Sequence, residues 1–174
     1  MATQFRARSV IDLGCGTGIL ARRLAGLGFA VIGADPARGS LEYARTRPDA
    51  HQVGWILGDA TALPVAAADL VLMTGNAAQA IVKDADWTAM LQRTRAALRP
   101  DGRLVFETRD PSRRAWESWT PGETFRRVPI AEVGWVRAWT ELTSVHLPLI
   151  SFRTTWIFES DGAVLPAFRV IRLV

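Results

Sequence analysis

The sequence predicts an α/β domain built on a doubly wound, mainly parallel sheet, with an antiparallel β extension at its C-terminal end. Two observations carry this. Over the first 110 residues, short near-continuous apolar runs alternate with segments of helical period. Strands buried on both faces have that appearance, because helices cover a parallel sheet from both sides. After Asp110-Pro111 the helical segments give way to four stretches of strand character. Right-handed crossovers then make a doubly wound order the expected topology.

The elements follow in order. Ser9–Leu13 reads as a buried strand. Gly18–Leu27 places Leu20, Leu24 and Leu27 at helical spacing, and Gly28 can end that helix. Phe29–Ala34 is a second strand, and Leu41–Arg47 a short helix stopped before Pro48. Val53–Leu57 and Leu70–Thr74 are the third and fourth strands. Asp86–Leu98 is the best helix, with Trp87, Met90, Leu91, Thr94 and Leu98 on one face, Asp86 as its cap and Pro100-Asp101-Gly102 as its stop. Leu104–Thr108 is the fifth strand. Beyond it, Ser112–Trp119 forms a short helix at most. Glu123–Val128, Val133–Val145, Leu149–Glu159 and Val164–Leu173 read as strands of a sheet attached to the parallel one. In the third of these, Ile150, Phe152, Thr154, Trp156 and Phe158 alternate onto one face, and Asp161-Gly162 supplies a hairpin turn. Residues 1–110 are therefore the expected Rossmann-like core, and 111–174 a β extension of the same domain.

Composition narrows the function. The 174 residues are 49% hydrophobic and 22% charged, too apolar for disorder. No apolar run is long enough to span a membrane. Met1–Val10 carries Arg6 and Arg8 with no apolar segment of signal-peptide length behind them. The single cysteine, Cys15, excludes an internal disulfide and a multi-cysteine zinc site. A reducing, cytoplasmic setting is the expectation. The net charge of +4 is spread along the chain, and no basic run exceeds two residues, so a concentrated nucleic-acid footprint is not expected. No cluster of carboxylates and histidines reads as a metal site.

The most informative segment is Val10-Ile11-Asp12-Leu13-Gly14-Cys15-Gly16-Thr17-Gly18, which joins the first strand to the first helix. Glycines at 14, 16 and 18 allow a tight turn and a close approach of backbone to ligand. A dinucleotide-binding turn would read Gly-x-Gly-x-x-Gly, but its sixth position here is Ile19. Asp12, two residues before the first glycine, would repel a pyrophosphate and suits a ligand with an ammonium and a sulfonium group. Further along, Asp35-Pro36 ends the second strand, Gly58-Asp59-Ala60 follows the third, and Asp69–Asn76 covers the fourth strand and the loop leaving it. Leu98–Glu107 holds the turn and fifth strand.

Taken together, these motifs resemble the Rossmann-fold, class I S-adenosylmethionine-dependent methyltransferases, in the order that family shows. The resemblance implies a Rossmann-like core, S-adenosylmethionine as cofactor, and transfer of its methyl group to a small-molecule acceptor by in-line displacement. It also implies roles for residues. Asp12, Gly14, Cys15, Gly16 and Gly18 back the methionine part. Asp35, with Pro36, meets the ribose hydroxyls. Asp59 and Ala60 meet the adenine, and Thr74 and Asn76 lie beneath the methionine, toward the acceptor. Cys15 reads as a small loop residue, although a helix N-terminus can lower a thiol pKa.

Methyl transfer to a neutral nucleophile needs alignment more than acid–base chemistry, so no catalytic residue is assigned. His146, Glu107, Arg109 and Asp110 are the candidates for a catalytic role. Five of the seven tryptophans, at 116, 119, 135, 139 and 156, follow residue 110 and read as the core of the antiparallel sheet, the alternative being an apolar acceptor pocket. Segment 110–119 is expected to border the acceptor site. Only nine residues precede Val10, and the chain stops at Val174, so both ends look shorter than the family's. That leaves two alternatives, a truncated non-catalytic module and, with less support, an NAD(P)-dependent oxidoreductase. It also leaves the sheet edge after the fifth strand open to self-association.

Overall fold

A computed structural model describes residues 7–173. Arg6, named above with the N-terminal stretch, and Val174, at the chain end, lie outside the described residues. The chain divides into two compact units, one ending at Glu107 and one beginning at Thr108.

The first unit is a five-stranded parallel sheet of β1 (Ser9–Leu13), β2 (Ala30–Asp35), β3 (Val53–Leu57), β4 (Ala68–Met73) and β5 (Leu98–Phe106), in the order β3-β2-β1-β4-β5. The central strands are mostly apolar because the sheet has a core on either face. Ile11, Leu13, Val71 and Met73 belong to one core, together with Met90 and Ala97 of helix α3 (Asp84–Ala97). Val10, Val31, Leu70 and Leu72 belong to the other, together with Ala21, Leu24 and Ala25 of helix α1 (Ile19–Gly26). A two-residue strand period distributes successive side chains to the two cores. Helix α2 (Arg38–Arg45) buries Leu41 and Ala44.

Several local expectations shift. Leu27 does not share the buried face of α1. The helix ends at Gly26, and Leu27 is 75% exposed where Gly28, at φ +90°, turns the chain toward β2. Helix α2 starts three residues earlier than Leu41 and ends before Arg47. Helix α3 also starts earlier, so Asp86 lies in its first turn and Lys83 takes the cap. An acid within the first turn still favours the helix dipole. Leu91 is exposed, and Ala97 closes the buried face. The fifth strand begins at Leu98, directly after α3, and pairs with Ala68 before a register shift. Pro100-Asp101-Gly102 therefore interrupts that strand's pairing rather than separating helix from strand.

Asp69 holds the start of β1 to β4 and β5. Its Oδ2 accepts from the amides of Arg8 and Ser9 and from Ser9 Oγ, and Arg99 pairs with its Oδ1 at 3.1 Å. These donors hold its carboxyl well below the usual carboxylate range.

The second unit is an antiparallel sheet of β6 (Arg126–Ile130), β7 (Gly134–His146), β8 (Leu149–Phe158) and β9 (Val164–Arg172), in sequence order. It is a sheet of its own, and among the described residues its strands pair only with one another. Two short 3-10 turns, Pro111–Arg113 and Ala115–Ser118, and one helical turn, Pro121–Thr124, precede it. Glu123 thus lies in that helical turn, not in a strand. The core of this unit is Trp116, Ile150, Ile171 and Leu173, with Trp119, Leu142 and Phe152 packed against it.

The tryptophans divide. Trp116 is buried and Trp119 meets Phe152 edge to face at 4.8 Å, but Trp135 is 44% exposed beneath the Arg127 guanidinium. Trp135 is no core residue because it pairs with Pro129 of the edge strand β6, whose residues are all exposed. The alternation along β8 is likewise incomplete. Ile150 is buried on the expected face, yet Thr155 is buried on the opposite one.

Candidate functional site

The C-terminal ends of β1, β2, β3 and β4 lie side by side in the sheet, and the loops leaving them carry the motif residues. The switch in strand order falls between β1 and β4, where an open α/β sheet leaves a crevice.

The loop after β1 is tied to the end of β2. The amides of Gly14 and Cys15 both donate to the carbonyl of Ala34, at 2.8 and 3.1 Å, and the amide of Gly16 donates to Asp35 Oδ2 at 2.7 Å. Asp35 Oδ1 accepts from Ala37 at 2.8 Å. Asp35 is thus the clamp between the glycine loop and the start of α2.

Two of the glycines are sterically required. A Cβ on Gly14 would stand 2.6 Å from Ala77 Cβ, and one on Gly18 would stand 2.3 Å from the Trp55 ring. At Gly16 an added Cβ would meet nothing within 4 Å, so that side of the loop is open.

Asp12 is 1% exposed and makes no ion pair among the described residues. Burial pushes its carboxyl up to about 6. The Ala21 amide opposes that shift, and the negative charge of Asp35 adds to it. Burial and the same two acids push the Cys15 thiol up to about 12. A helix N-terminus therefore does not activate this thiol; its neighbours have the wrong sign.

Asp59 follows β3 and is exposed. Its Oδ1 accepts from the amide and hydroxyl of Thr61, at 2.8 and 2.6 Å, which caps a short turn and lowers its pKa. Ala60 is buried in the core beside it, and Pro36 is exposed. Thr74 and Asn76 are half-buried in the loop after β4. The amide of Asn76 donates to Glu107 Oε1 at 3.1 Å, so Glu107 stands against this loop from the end of β5. The other candidates for a catalytic role belong to the second unit. Asp110 accepts from Ser112, Arg109 lies 5.4 Å from the Trp119 ring centroid, and His146 is exposed at the end of β7.

Two contributors were not expected from the sequence. Trp55 of β3 supports the loop from below, filling the space over Gly18 and Gly33, and its Nε1 donates to the carbonyl of Ala50 at 3.0 Å. A glycine inside an otherwise apolar strand, Gly33, was the available signal, since it pairs with Trp55 in register. Ala77, packed on Gly14, carried no signal in the sequence.

Three acids thus mark the ends of three adjacent strands, and two of them, Asp12 and Asp35, are buried. A polyanion would be repelled here. A ligand bearing a cation and hydroxyl groups would gain, because a cation relieves a buried carboxylate and hydroxyls donate to the others.

Residues 10–102 match the family model described as a methyltransferase domain. Among curated proteins, the malonyl-[acyl-carrier protein] O-methyltransferase of Hahella chejuensis is 36% identical over 104 residues, 58% of this chain and 36% of that protein. The chain spans 24–42% of the length of the first curated relatives it matches. Among solved structures, the CcbJ methyltransferase of Streptomyces caelestis superposes with a TM-score of 0.75 at 23% identity, covering 99% of this chain and 71% of that one. CalS10, an amino pentose methyltransferase of Micromonospora echinaspora with S-adenosylmethionine bound, does so with a TM-score of 0.70 at 20% identity, covering 99% and 74%. At these identities the structural likeness speaks for the fold.

Proposed function

This chain belongs to the class I methyltransferase family, and from that premise we propose that it transfers a methyl group from S-adenosylmethionine to a small-molecule acceptor. The observation that carries the reading is Asp12, a buried carboxylate with no cationic partner among the described residues, beneath a glycine loop whose Gly16 side is open. That is the environment an amino-acid cation stabilises and a pyrophosphate does not.

The residues present fit the cofactor. Asp12, with the backbone of Gly14, Cys15, Gly16 and Gly18, would hold its methionine part. Each Asp35 oxygen accepts one amide and keeps a second lone pair for a ribose hydroxyl, beside Pro36. Asp59 Oδ2, left over from the Thr61 cap, and the Ala60 backbone would meet the adenine. Thr74 and Asn76 would lie under the methionine, where Glu107 steadies the Asn76 amide.

The cofactor supplies an electrophilic methyl group whose sulfur leaves neutral, so no general acid is needed. The protein's work is then to orient the acceptor and exclude water. Glu107 stands against this loop and would take the acceptor's proton where the acceptor is a hydroxyl. Relatives named for O-methylation of a carrier-bound malonyl group and for methylation of an amino pentose support a small or carrier-borne acceptor with an oxygen or nitrogen nucleophile.

Calorimetric titration with S-adenosylhomocysteine tests this directly. Saturable binding that Asp12→Ala abolishes is expected. Absence of binding at millimolar concentration, or undiminished binding by the variant, would overturn the proposal.

A further inference from the structure

A cavity of about 480 Å³ opens beside the glycine loop, lined by Thr17, Ile19, Arg22, Tyr43 and Arg47. Two of these five residues are arginines and none is acidic. Arg22 Nη1 donates to the carbonyl of Pro48 at 3.1 Å, which holds the guanidinium in place. Its Nε is buried and has no acceptor among the described residues. The Arg47 guanidinium lies over the Tyr43 ring, 5.2 Å from its centroid, and makes no ion pair among the described residues. Glu42 and Asp49 are close in sequence, but neither lines the cavity, and Asp49 Oδ1 accepts from Gln52.

A buried guanidinium N–H without an acceptor leaves Arg22 under-satisfied, so an oxyanion on the same guanidinium would be favourable. Two guanidinium groups on one cavity match the oxygens of a phosphoryl group better than any neutral ligand. The volume falls in the range of about 300–1,000 Å³ found for small-molecule sites, more than a bare oxyanion requires. Ile19 and Tyr43, 61% and 52% exposed, offer apolar surface for an organic portion.

We infer that this cavity binds a phosphate monoester of a small organic molecule, with its phosphoryl group on Arg22 and Arg47 and its organic part against Tyr43 and Ile19. The site is separate from the one proposed for the nucleoside. Asp12, Asp35 and Asp59 would repel a phosphate, and none of them lines this cavity. The inference therefore stands whether or not methyl transfer is confirmed.

The arginine Nε–H resonances read the site directly in a nitrogen-15 titration at constant ionic strength, with phenyl phosphate and inorganic phosphate as probes. Arg22→Gln assigns the Arg22 signal. Phenyl phosphate should shift that signal saturably, and inorganic phosphate should do so about tenfold more weakly. Arg47→Gln, which changes an exposed side chain, should weaken phenyl phosphate about tenfold while S-adenosylhomocysteine binding stays at the unmodified protein's level. A silent Arg22 signal up to about 10 mM probe, equal affinity for the two probes, or undiminished binding by Arg47→Gln would each overturn the assignment.

Discussion

The amide of Gly16 donates to the carboxylate of Asp35 at 2.7 Å, so the glycine loop that leaves the first strand is clamped by the last residue of the second. The same carboxylate caps Ala37 with its other oxygen. One side chain thus sets the position of both the loop and the segment opening the next helix, and it ties the shape of the proposed nucleoside site to the stability of the domain.

Asp35→Asn leaves one acceptor oxygen where two are used. The variant should lose about 1–3 kcal/mol of folding stability, the usual cost of stranding a buried donor. Its nucleoside affinity should fall as well. Chemical denaturation and calorimetry measure the two effects; retained stability would show that the clamp is dispensable.

Asp12→Asn should separate stability from binding. The carboxyl of Asp12 is raised in the folded protein from 3.8 to about 6, so above pH 6 the folded state carries a desolvated charge that the unfolded state hydrates. Removing that charge should stabilise the ligand-free protein at pH 7 by up to about 3 kcal/mol. The gain should shrink as pH falls from 6 and vanish near 3.8, where both states are protonated. Affinity for S-adenosylhomocysteine should be lost at every pH. Denaturation curves at pH 7.5 and pH 4 decide it.

The same titration gives the unmodified protein a pH-dependent affinity. Below about 6 Asp12 takes up a proton and no longer attracts a cation. The association constant for S-adenosylhomocysteine should be level above pH 7 and fall up to about tenfold per pH unit below 6. Calorimetry from pH 5 to 8 reads this, and a flat profile would remove Asp12 from the site.

Gly14→Ala and Gly16→Ala should fail in different ways. Both positions have positive φ, but only at Gly14 does an added methyl collide with the protein, at 2.6 Å from Ala77. Gly14→Ala should cost about 1–3 kcal/mol more stability than Gly16→Ala. Gly16→Ala should retain most stability and lose nucleoside affinity. Thermal melts paired with titrations distinguish the two.

Cys15 should be a poor nucleophile. With its thiol pushed up to about 12, hardly any thiolate exists at pH 8. Iodoacetamide should label the native protein at least about a hundredfold more slowly than the unfolded chain, as followed by mass spectrometry. Rapid native labelling would mean that the loop is open around the thiol.

Much of this molecule was legible in its sequence, and for definite reasons. Ser9–Leu13 and Val53–Leu57 were readable to the residue because each is a short, mostly apolar run bounded by polar or turn-forming residues. Helix ends were read less well. Leu27 satisfies the helical period yet lies past the last turn, since a period marks a face and not a boundary. In the second unit, Trp135 looked like core and lies exposed under Arg127, because composition does not say which face of an edge pair is covered.

The sequence by itself determined the strand order's logic, the spacing of the glycines and the presence of acids after successive strands, because these depend on local backbone need and period. Only the tertiary structure decided how those acids are used. Asp35 was free to serve a ligand alone until the fold brought Gly16 onto it, and Asp59 until Thr61 closed on its Oδ1. Trp55, 37 residues beyond Gly18 in the chain, became the loop's support only through strand pairing. Burial, hydrogen-bond partners and the resulting pKa of Asp12 are properties of neighbours distant in sequence, and no local pattern encodes them.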